Sequence, residues 1–472
     1  MKGIISSIRH STSGEELCTI IGDGTYTVSC DTSLKLYDSV EFELGEPGKS
    51  GYNKIEVNKL ENSEKNGYEQ ELKKAEERLF SKRLLKTGIK RLDDVLDNMS
   101  EQIFAAGKRI IRNVASGAPI VIRFHNDGDG SSGAIALFRA ISAILGDAQG
   151  KAINISYRIN KSIAYSSSSL WSDKLFFNSF ESIEKPLVVI IDFGTTEESY
   201  GAIASAIGID FIWVDHHPIP QDFPVSSLPL YINPWQYRGD SNETAGAIAC
   251  VLAATLGKQP QEALSRTQEL ALISMVSDHS EFAPSGQLTA EKALVLDHIT
   301  SKRLRYGDMQ EPALSPRSMS EVLSDDAKWK EVFKKARAQL DEALKAGIKH
   351  AKHYKSVRGF RIVELDFGHV SALDYEILPG RYSSKLHDEV SAVLNEDVVL
   401  IVHYANSISI RLGKKLSKSI NILDIINRMK ESKQYLLNGG GHMEAASIKV
   451  EEGHLEDALD ALFTELGAER NS

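Results

Sequence analysis

Carboxylates and imidazoles follow four apolar stretches of this chain, and their spacing suggests chemistry rather than chance. In chain order they are His125, Asp127, Asp129, Asp192, Asp215, His216, His217 and Asp278. Three of the stretches are strand-like (VIRF, LVVII and FIWV), and the fourth, LALISMVS, is helix-like. In open α/β sheets the ligand crevice lies outside the carboxyl ends of the strands. We therefore expect these side chains to meet in one crevice.

The chemistry expected of such a crevice is that of divalent cations. Four aspartates in a partly dehydrated site repel one another, so either protons or cations must offset their charge. Carboxylate oxygens mixed with imidazole suit Mn²⁺, with Mg²⁺ as the alternative, and thiolate ligands are absent from the pattern. Two ions bridged by a carboxylate would polarise a phosphoryl oxygen and activate water. The pattern predicts hydrolysis of a phosphoester.

Each motif taken alone also has an ordinary structural interpretation. The turn around Asp127 and Asp129 is typical of a helix cap. The pair His216 and His217 could pack in a core, and Asp278 could end a helix. Three aspartate motifs in order, each directly after a strand, favour a functional site over these alternatives.

The elements that must position these residues alternate between strand and helix. The predicted strands are residues 119–124, 152–159, 187–192 and 211–215, and the main helices between them are residues 131–145 and 243–256. Continuous apolar strands with crossover helices indicate a parallel sheet covered on both faces.

The rest of the chain divides by composition into segments of other kinds. The predicted segments are 1–60, an OB-like β-barrel; 61–116, a helical connector; 117–300, the parallel-sheet core; 301–355, a basic helical linker; and 356–472, a smaller α/β lobe. The barrel is predicted from short alternating runs between turns at about ten-residue spacing.

Composition excludes several classes of protein. Of 472 residues, 42% are hydrophobic and 25% charged, which is ordinary for a globular chain. The apolar runs are far shorter than the roughly 18 residues that span a bilayer, and the first residues lack a signal-peptide core. Three cysteines without a CxxC pair indicate neither a disulfide framework nor a thiolate zinc site. We expect a soluble cytoplasmic protein with no membrane contact.

Charge is distributed unevenly along the chain. The net charge is −10, yet residues 328–361 carry eleven Lys or Arg against three acidic residues. Phosphate binding depends on local charge, so this stretch could line a groove for a polyanion. A solvated helix face is the alternative, and composition leaves both open.

The motifs HNDGDGSSGA, IDFG, VDHH and SDH, followed far downstream by GGGH, together resemble the DHH phosphoesterase superfamily. That superfamily includes RecJ-type exonucleases, oligonucleotide phosphodiesterases and manganese pyrophosphatases. The resemblance covers roughly residues 117–472. It implies a DHH core over 117–300 and a DHH-associated, substrate-binding domain over 356–472. The barrel and connector before the core look most like archaeal RecJ-like nucleases.

The resemblance implies a role for each matching residue. Asp127 and Asp129 match the paired aspartates that bind two ions, and Asp192 matches the bridging carboxylate. His216 matches an imidazole ligand, and Asp278 matches the carboxylate of the fourth motif.

The other residues of the motifs match positions that do not all bind metal. His217 matches the histidine that faces the scissile phosphate, with Asp215 orienting an imidazole. His125 precedes Asp127 by two residues, whereas several relatives have a ligand histidine four residues before, so its role as a ligand stays open.

Two features of the second lobe resemble substrate-binding elements of the family. In GGGHMEAAS, the glycines Gly439, Gly440 and Gly441 let backbone amides approach a phosphate, and His442 can donate to it. Arg411, on SISIRLG, could contact phosphate bidentately. A turn before the strand ASIKV and an ordinary surface arginine are the respective alternatives.

These observations predict a nuclease. Two-metal activation of water would hydrolyse single-stranded DNA or RNA from an end, and the protein could also bind a replication or RNA-processing partner. One alternative is a phosphodiesterase of short oligonucleotides or cyclic dinucleotides. Another is a replication-associated scaffold with little catalysis. The sequence leaves open DNA against RNA, the polarity of digestion and the oligomeric state.

Overall fold

The computed structural model describes most of the chain. The described residues are 1–10, 16–30, 34–47, 53–60, 65–146, 154–160, 162, 164–221, 223–228, 230–306, 315–354, 359–371 and 379–470. They form two compact units, drawn from Met1–Leu296 with Gln310–Asp325 and from Asp297–Met309 with Asp326–Ser472. The predicted division into five segments stays a prediction. In the described part of the chain, no helix is both long and apolar enough to cross a membrane.

The first unit begins with a closed barrel of five strands. These are β1 (Lys2–His10), β2 (Glu16–Gly22), β3 (Thr25–Cys30), β4 (Ser39–Pro47) and β5 (Asn53–Lys59). The strand order is β1-β2-β3-β5-β4, and β4 pairs with β1 again, which closes the barrel. Alternate side chains such as Ile5, Ile20 and Phe42 fill its interior. The predicted OB-like barrel is confirmed.

A strand from the core adds to this barrel. β8 (Phe180–Ser182) pairs antiparallel with β1, so that Ile8 lies opposite Glu181. The Arg9 guanidinium also lies over the ring of Phe180, 5.3 Å from its centroid. Neither this strand nor this pairing is predicted from the sequence. The barrel is therefore hydrogen-bonded directly to the core.

Helices connect the barrel to the core. They are α1 (Lys65–Leu79), α2 (Lys90–Asn98) and α3 (Ser100–Ser116). Arg112 on α3 forms ion pairs with Glu76 on α1, 2.8 Å away, and with Glu184 beyond β8, 3.0 Å away. These half-buried pairs tie the predicted helical connector to both of its neighbours.

The core is a parallel five-stranded sheet. Its strands are β6 (Ile120–His125), β7 (Ile155–Asn160), β9 (Leu187–Ile191), β10 (Asp210–Val214) and β11 (Tyr231–Ile232), in the order β11-β10-β9-β6-β7. The chain turns toward β7 after β6 but toward β10 after β9. The point between β6 and β9 is thus the topological switch point, where α/β sheets bind ligands. The sequence predicts four of these strands and misses the two-residue β11.

Helices flank this sheet. They are α4 (Gly128–Leu145), α5 (Ser167–Phe177), α6 (Glu197–Ala204), α7 (Ala245–Ala254), α8 (Gln261–Ser277) and α10 (Pro316–Ser324), with α9 (Gln287–Tyr306) contributing residues to both units. Two 3₁₀ turns, Val225–Ser227 and Pro234–Tyr237, lie on either side of β11. The predicted parallel α/β core is confirmed.

The second unit is built on a six-stranded mixed sheet. The strands are β12 (Lys352–His353), β13 (Arg361–Asp366), β14 (Val398–Tyr404), β15 (Ser407–Leu412), β16 (Leu436–His442) and β17 (Ala445–Val450), in the order β12-β13-β14-β15-β17-β16. The helices are α11 (Asp326–His350), α12 (Gly368–Ser371), α13 (Pro379–Leu394), α14 (Lys414–Ser417), α15 (Ile422–Ser432) and α16 (Leu455–Glu465). This confirms the predicted smaller α/β lobe.

A buried carboxylate organises one part of this second unit. Glu364 on β13 accepts hydrogen bonds from Arg470 (2.7 Å) and Tyr354 (2.7 Å), and His403 Nε2 lies 3.1 Å away. Burial alone raises the pKa of Glu364, but the hydrogen bonds from His403, Arg470 and Tyr354 outweigh it and hold the pKa well below its ordinary value. The C-terminal segment is thereby attached to the sheet.

Acid should weaken this attachment. A carboxyl group whose folded-state pKa is depressed stabilises the fold above its unfolded pKa, and this contribution is lost as the pH falls toward the folded-state value. We expect the thermal midpoint to fall between about pH 6 and about pH 3. Glu364→Gln should lower the midpoint at neutral pH and flatten this dependence. Glu389→Gln, a matched change at an exposed position on α13, should do neither.

Candidate metal centre

The turn after β6 brings a histidine and an aspartate together. Asp127 caps α4, because its Oδ1 accepts a hydrogen bond from the backbone amide of Gly130 at 2.9 Å. Its Oδ2 lies 2.8 Å from His125 Nδ1. A Cβ at Gly130 would lie 2.6 Å from the carbonyl oxygen of His125, so the turn closes this tightly only with glycine. His125, whose reach the sequence leaves open, is thus held at the site.

Asp129 lies in the first turn of α4 and is fully buried. Its Oδ1 accepts hydrogen bonds from the backbone amide of Gly246 on α7 and from the hydroxyl of Ser274 on α8. Its buried Oδ2 has no hydrogen-bond partner among the described residues, and lies 3.9 Å from His216 Nε2. A buried carboxylate oxygen without a partner is costly, and a cation is the natural partner for it.

Asp192 occupies the centre of the cluster. It follows β9 directly, and its φ of 61° lies in the left-handed region, which aspartate tolerates better than most residues. Its Oδ2 lies 3.3 Å from His125 Nδ1, and its Oδ1 lies 3.4 Å from His216 Nε2. One carboxylate therefore faces two imidazoles, one from each side of the switch point.

The motif after β10 holds its two imidazoles by different partners. His216 Nδ1 lies 2.9 Å from the carbonyl oxygen of Ser241, which directs Nε2 toward the carboxylates. His217 Nδ1 lies 2.7 Å from Oδ1 of Asp215, which is fully buried. Thr195 donates a hydrogen bond to Oδ2 of Asp215 at 3.1 Å. Asp215 therefore orients His217, and Ser241 orients His216.

Asp278 completes the cluster from α8. It is the C-terminal cap of that helix, and its Oδ2 lies 3.5 Å from His216 Nε2. Its side chain keeps 25% of its surface exposed, whereas the His216 side chain keeps 1%. Asp278 thus marks the side of the cluster that is open to solvent.

The electrostatics of the cluster reflect excess negative charge. Burial and the neighbouring Asp192 raise the pKa of Asp129 well above its ordinary value. Burial opposes ionisation of Asp192 too, but hydrogen bonds with His125 and His216 hold its pKa well below the ordinary value. Burial lowers the pKa of an imidazole, yet the adjacent carboxylates raise that of both histidines well above normal. A divalent cation would offset the same negative charge.

The donor set fits divalent metal. Ligand atoms lie within 4.8 Å of one another in two groups that share Asp192, one with His216 and His217 and one with His125 and Asp127. Oxygen and imidazole donors without thiolate suit Mn²⁺ and also accept Mg²⁺. The shared aspartate is the residue to which the sequence assigns the bridging role.

In the second unit, the sheet places Arg411 and His442 on one row. Both residues pair with Ala445, Arg411 across β15–β17 and His442 across β16–β17. Arg411 Nε donates a hydrogen bond to the hydroxyl of Ser383 at 3.0 Å. Each proposed substrate-binding residue therefore lies at a register position opposite the same alanine.

The glycines of GGGH form a strand rather than the predicted loop. Gly439, Gly440 and Gly441 belong to β16 at the edge of the sheet, so the prediction of a loop or turn at these residues is wrong. The physical reason lies in the hairpin partner. Gly441 has a φ of 144°, and a Cβ there would lie 2.2 Å from the carbonyl oxygen of Ala445.

Several residues that hold the site are missed by sequence reasoning. Gly246 and Ser274 fix Asp129, Ser241 fixes His216, and Thr195 fixes Asp215. Glycine and serine carry no metal-binding signal of their own. The one hint is the run of small residues AGAIA on α7, which lets that helix approach α4 closely.

Alanine at Gly246 should displace Asp129. A Cβ there would lie 2.2 Å from the carbonyl oxygen of Asp129, a backbone atom that cannot yield cheaply. We expect Gly246→Ala to lower the free energy of unfolding by about 1–3 kcal/mol. We also expect it to weaken Mn²⁺ binding about tenfold or more.

Urea unfolding and calorimetric titration with Mn²⁺ measure the two effects. Gly201→Ala on α6 is the control, because its Cβ would meet nothing within 4 Å. It should leave metal binding unchanged and stabilise the helix by up to about 1 kcal/mol. Unchanged Mn²⁺ affinity in Gly246→Ala would show that Asp129 is not a ligand.

Comparison with known proteins identifies the domain that carries this site. Residues 119–277 match the model of the DHH family, N-terminal domain. The chain therefore contains a DHH-family domain, and the resemblance inferred from its motifs is confirmed.

Individual relatives are more distant. An uncharacterized protein of Methanocaldococcus jannaschii is 26% identical over 425 residues, which is 79% of this chain and 54% of that protein. The chain thus spans about half the length of the curated relative it matches.

Solved structures show the same fold. A DHH domain described as a member of a family of ribosomal proteins has a TM-score of 0.69 at 22% identity, covering 85% of this chain and 97% of that one. RecJ from Thermus thermophilus, in complex with Mn²⁺, has a TM-score of 0.49 at 16% identity, covering 78% of this chain and 55% of that one.

Proposed function

We propose that this protein is a divalent-metal-dependent phosphodiesterase that removes nucleotides from an end of single-stranded DNA or RNA. The observation that carries the proposal is the position of Asp192 between His125 and His216, with Oδ atoms 3.3 and 3.4 Å from the two imidazoles. One carboxylate shared by two groups of ligands is the arrangement that a pair of ions requires. The DHH-family domain supports the same chemistry.

The residues of the cluster divide the work between holding and polarising. Bound divalent ions would supply Lewis acidity toward the phosphoryl oxygens and activate water. Ser241 fixes the orientation of His216, and Asp215 fixes that of His217. Because Nδ1 of His217 is engaged by Asp215, its Nε2 is the atom left to neutralise charge on the phosphoryl group. Exposure of Asp278 gives the substrate a side from which to enter.

A basic helix face in the second unit supports a polyanionic substrate. Lys334, Lys345 and Lys349 on α11 are exposed and, within the part of the chain described, form no ion pair. At 3.6 residues per turn, these three positions lie on one side of the helix. Phosphates of a strand are the partners that such unpaired cations attract.

Digestion of end-labelled strands tests the proposal. Single-stranded DNA and RNA, each labelled at either end, are incubated with Mn²⁺, Mg²⁺ or EDTA. We expect stepwise release of nucleotides from one end, with Mn²⁺ at least as effective as Mg²⁺ and no activity in EDTA. Turnover of dinucleotides but not of longer strands would favour a short-substrate enzyme. Full activity in EDTA, or none with either metal, would contradict the proposal.

The lysines on α11 should affect long substrates selectively. We expect the double variant Lys334→Gln/Lys345→Gln to raise KM for a long strand and leave that for a dinucleotide unchanged. The slope of log KM against log salt should decrease by about 0.7 for each phosphate that a lysine no longer neutralises. Lys330→Gln is the control, because Lys330 already pairs with Asp326 at 3.5 Å. An equal rise in KM on both substrates would refute a role in gripping the strand.

A further inference from the structure

A tryptophan is attached to the backbone of one of the candidate metal ligands. Trp235 lies on the 3₁₀ turn Pro234–Tyr237, whose first turn is capped by Asn233. The indole Nε1 donates a hydrogen bond to the carbonyl oxygen of His216 at 3.1 Å and lies 3.3 Å from the hydroxyl of Ser241. The edge of the ring is thus fixed to the residue whose Nε2 faces the carboxylates.

The face of this ring has no partner within the described part of the protein. Trp235 is 43% exposed and, among the described residues, makes no aromatic or cation–π contact. By contrast, Trp213 packs against Tyr231, Trp329 is buried, and the exposed Trp171 has Lys174 over its ring. A ring that is fixed at its edge and bare on its face loses little side-chain entropy when a planar ligand stacks on it.

A cation lies three residues beyond. Arg238 is exposed, and in the described part of the chain its guanidinium has no hydrogen bond or ion pair. Its backbone is in the left-handed region (φ 63°, ψ 20°), where it ends the 3₁₀ turn, and the amide of Gly239 closes that turn on the carbonyl of Pro234. Trp235 and Arg238 therefore project from one short turn held against the cluster.

We propose that Trp235 and Arg238 form a nucleotide subsite next to the metal centre. The indole stacks on the base adjoining the scissile phosphate, and the guanidinium contacts a phosphate of the same strand. An aromatic face with a cation beside it is the chemistry that holds single-stranded nucleic acid without reading its sequence. This inference rests on the proposed function, because it supposes a substrate that carries bases.

Substrates with and without the base separate stacking from mere support of His216. Steady-state kinetics are measured on an oligonucleotide and on one whose terminal nucleotide, at the end that is cut, is abasic. For the wild type we expect the abasic substrate to raise KM about tenfold. Trp235→Leu should raise KM for the normal substrate by a similar factor and show no further rise with the abasic one. Trp235→Phe, which keeps a ring but loses the donor, should retain most of the discrimination.

Arg238→Gln should behave differently from the tryptophan variants. We expect it to raise KM on both substrates alike, with a shallower salt dependence, since a phosphate contact does not sense the base. Trp171→Leu is the control for loss of an exposed tryptophan elsewhere, and should match the wild type.

Two further measurements make failure of the subsite distinguishable from failure of the proposed function. Hydrolysis of bis(p-nitrophenyl) phosphate, which has no base, reports on the metal chemistry alone, and its absence together with absence of nuclease activity would reject the proposed function. Binding of normal and abasic oligonucleotides is followed in parallel by fluorescence anisotropy with Ca²⁺. Equal effects of Trp235→Leu on the two oligonucleotides, in kinetics or in binding, would overturn the subsite and leave Trp235 as a support for His216.

Discussion

Asp192→Asn is expected to reduce turnover at least about a hundredfold and to remove one of two Mn²⁺ ions from the calorimetric titration. The reason is that this one carboxylate faces both imidazole-containing groups, so its charge cannot be replaced by either. Asparagine is the suitable substitute, because it tolerates the φ of 61° at this position, whereas alanine would add backbone strain. Kinetics and metal titration are measured on the same preparation.

The matched control lies at the other end of a core strand. Asp210 begins β10, with 36% of its side chain exposed, and pairs with Arg109. Asp210→Asn should keep full activity and both ions, and cost less than about 1 kcal/mol. Undiminished turnover in Asp192→Asn, or loss of activity with two ions still bound, would refute the assignment of Asp192 as a shared ligand.

His216→Ala and His217→Ala are expected to differ in kind. Removal of His216 takes away an imidazole that faces Asp129, Asp192 and Asp278, so Mn²⁺ affinity should decrease by about tenfold or more and excess Mn²⁺ should partly restore activity. Removal of His217 should lower kcat about a hundredfold while metal affinity is kept, because its Nδ1 is held by Asp215. Calorimetric titration and kcat at saturating Mn²⁺ separate the two.

The same thermal midpoint in both variants is the control for folding. Identical deficits in metal affinity would mean that both histidines are ligands, a result that the grouping of His217 with Asp192 and His216 makes worth measuring. Complete recovery of His217→Ala in excess Mn²⁺ would lead to the same conclusion.

The order of strands and ligands could be predicted because buried parallel strands read as continuous apolar runs. LVVII is β9 itself, and VIRF and FIWV lie within β6 and β10, with the charged residues at their carboxyl ends. The roles of Gly246 and Ser274 could not be predicted, because they lie 117 and 145 residues from Asp129 in the chain. Only the packing of α7 and α8 on α4 brings them to it.

Glycine misled the prediction in the second unit. Gly439–Gly441 have low intrinsic preference for a strand, so a loop is the natural expectation. The strand exists because β17 supplies a hydrogen-bonding partner at close range, as the 2.2 Å approach of a Cβ at Gly441 to Ala445 shows. Non-local pairing of this kind leaves no local signature in the sequence.

The pairing of β8 with β1 has a consequence for how the protein can be cut and recombined. Deleting the first sixty residues would strip a hydrogen-bonded neighbour from β8 and leave an unpaired edge that invites aggregation. The barrel is thus a poor candidate for exchange with the barrel of another protein. In hydrogen–deuterium exchange, amides of β1 and β8 should gain deuterium together, as parts of one cooperative unit.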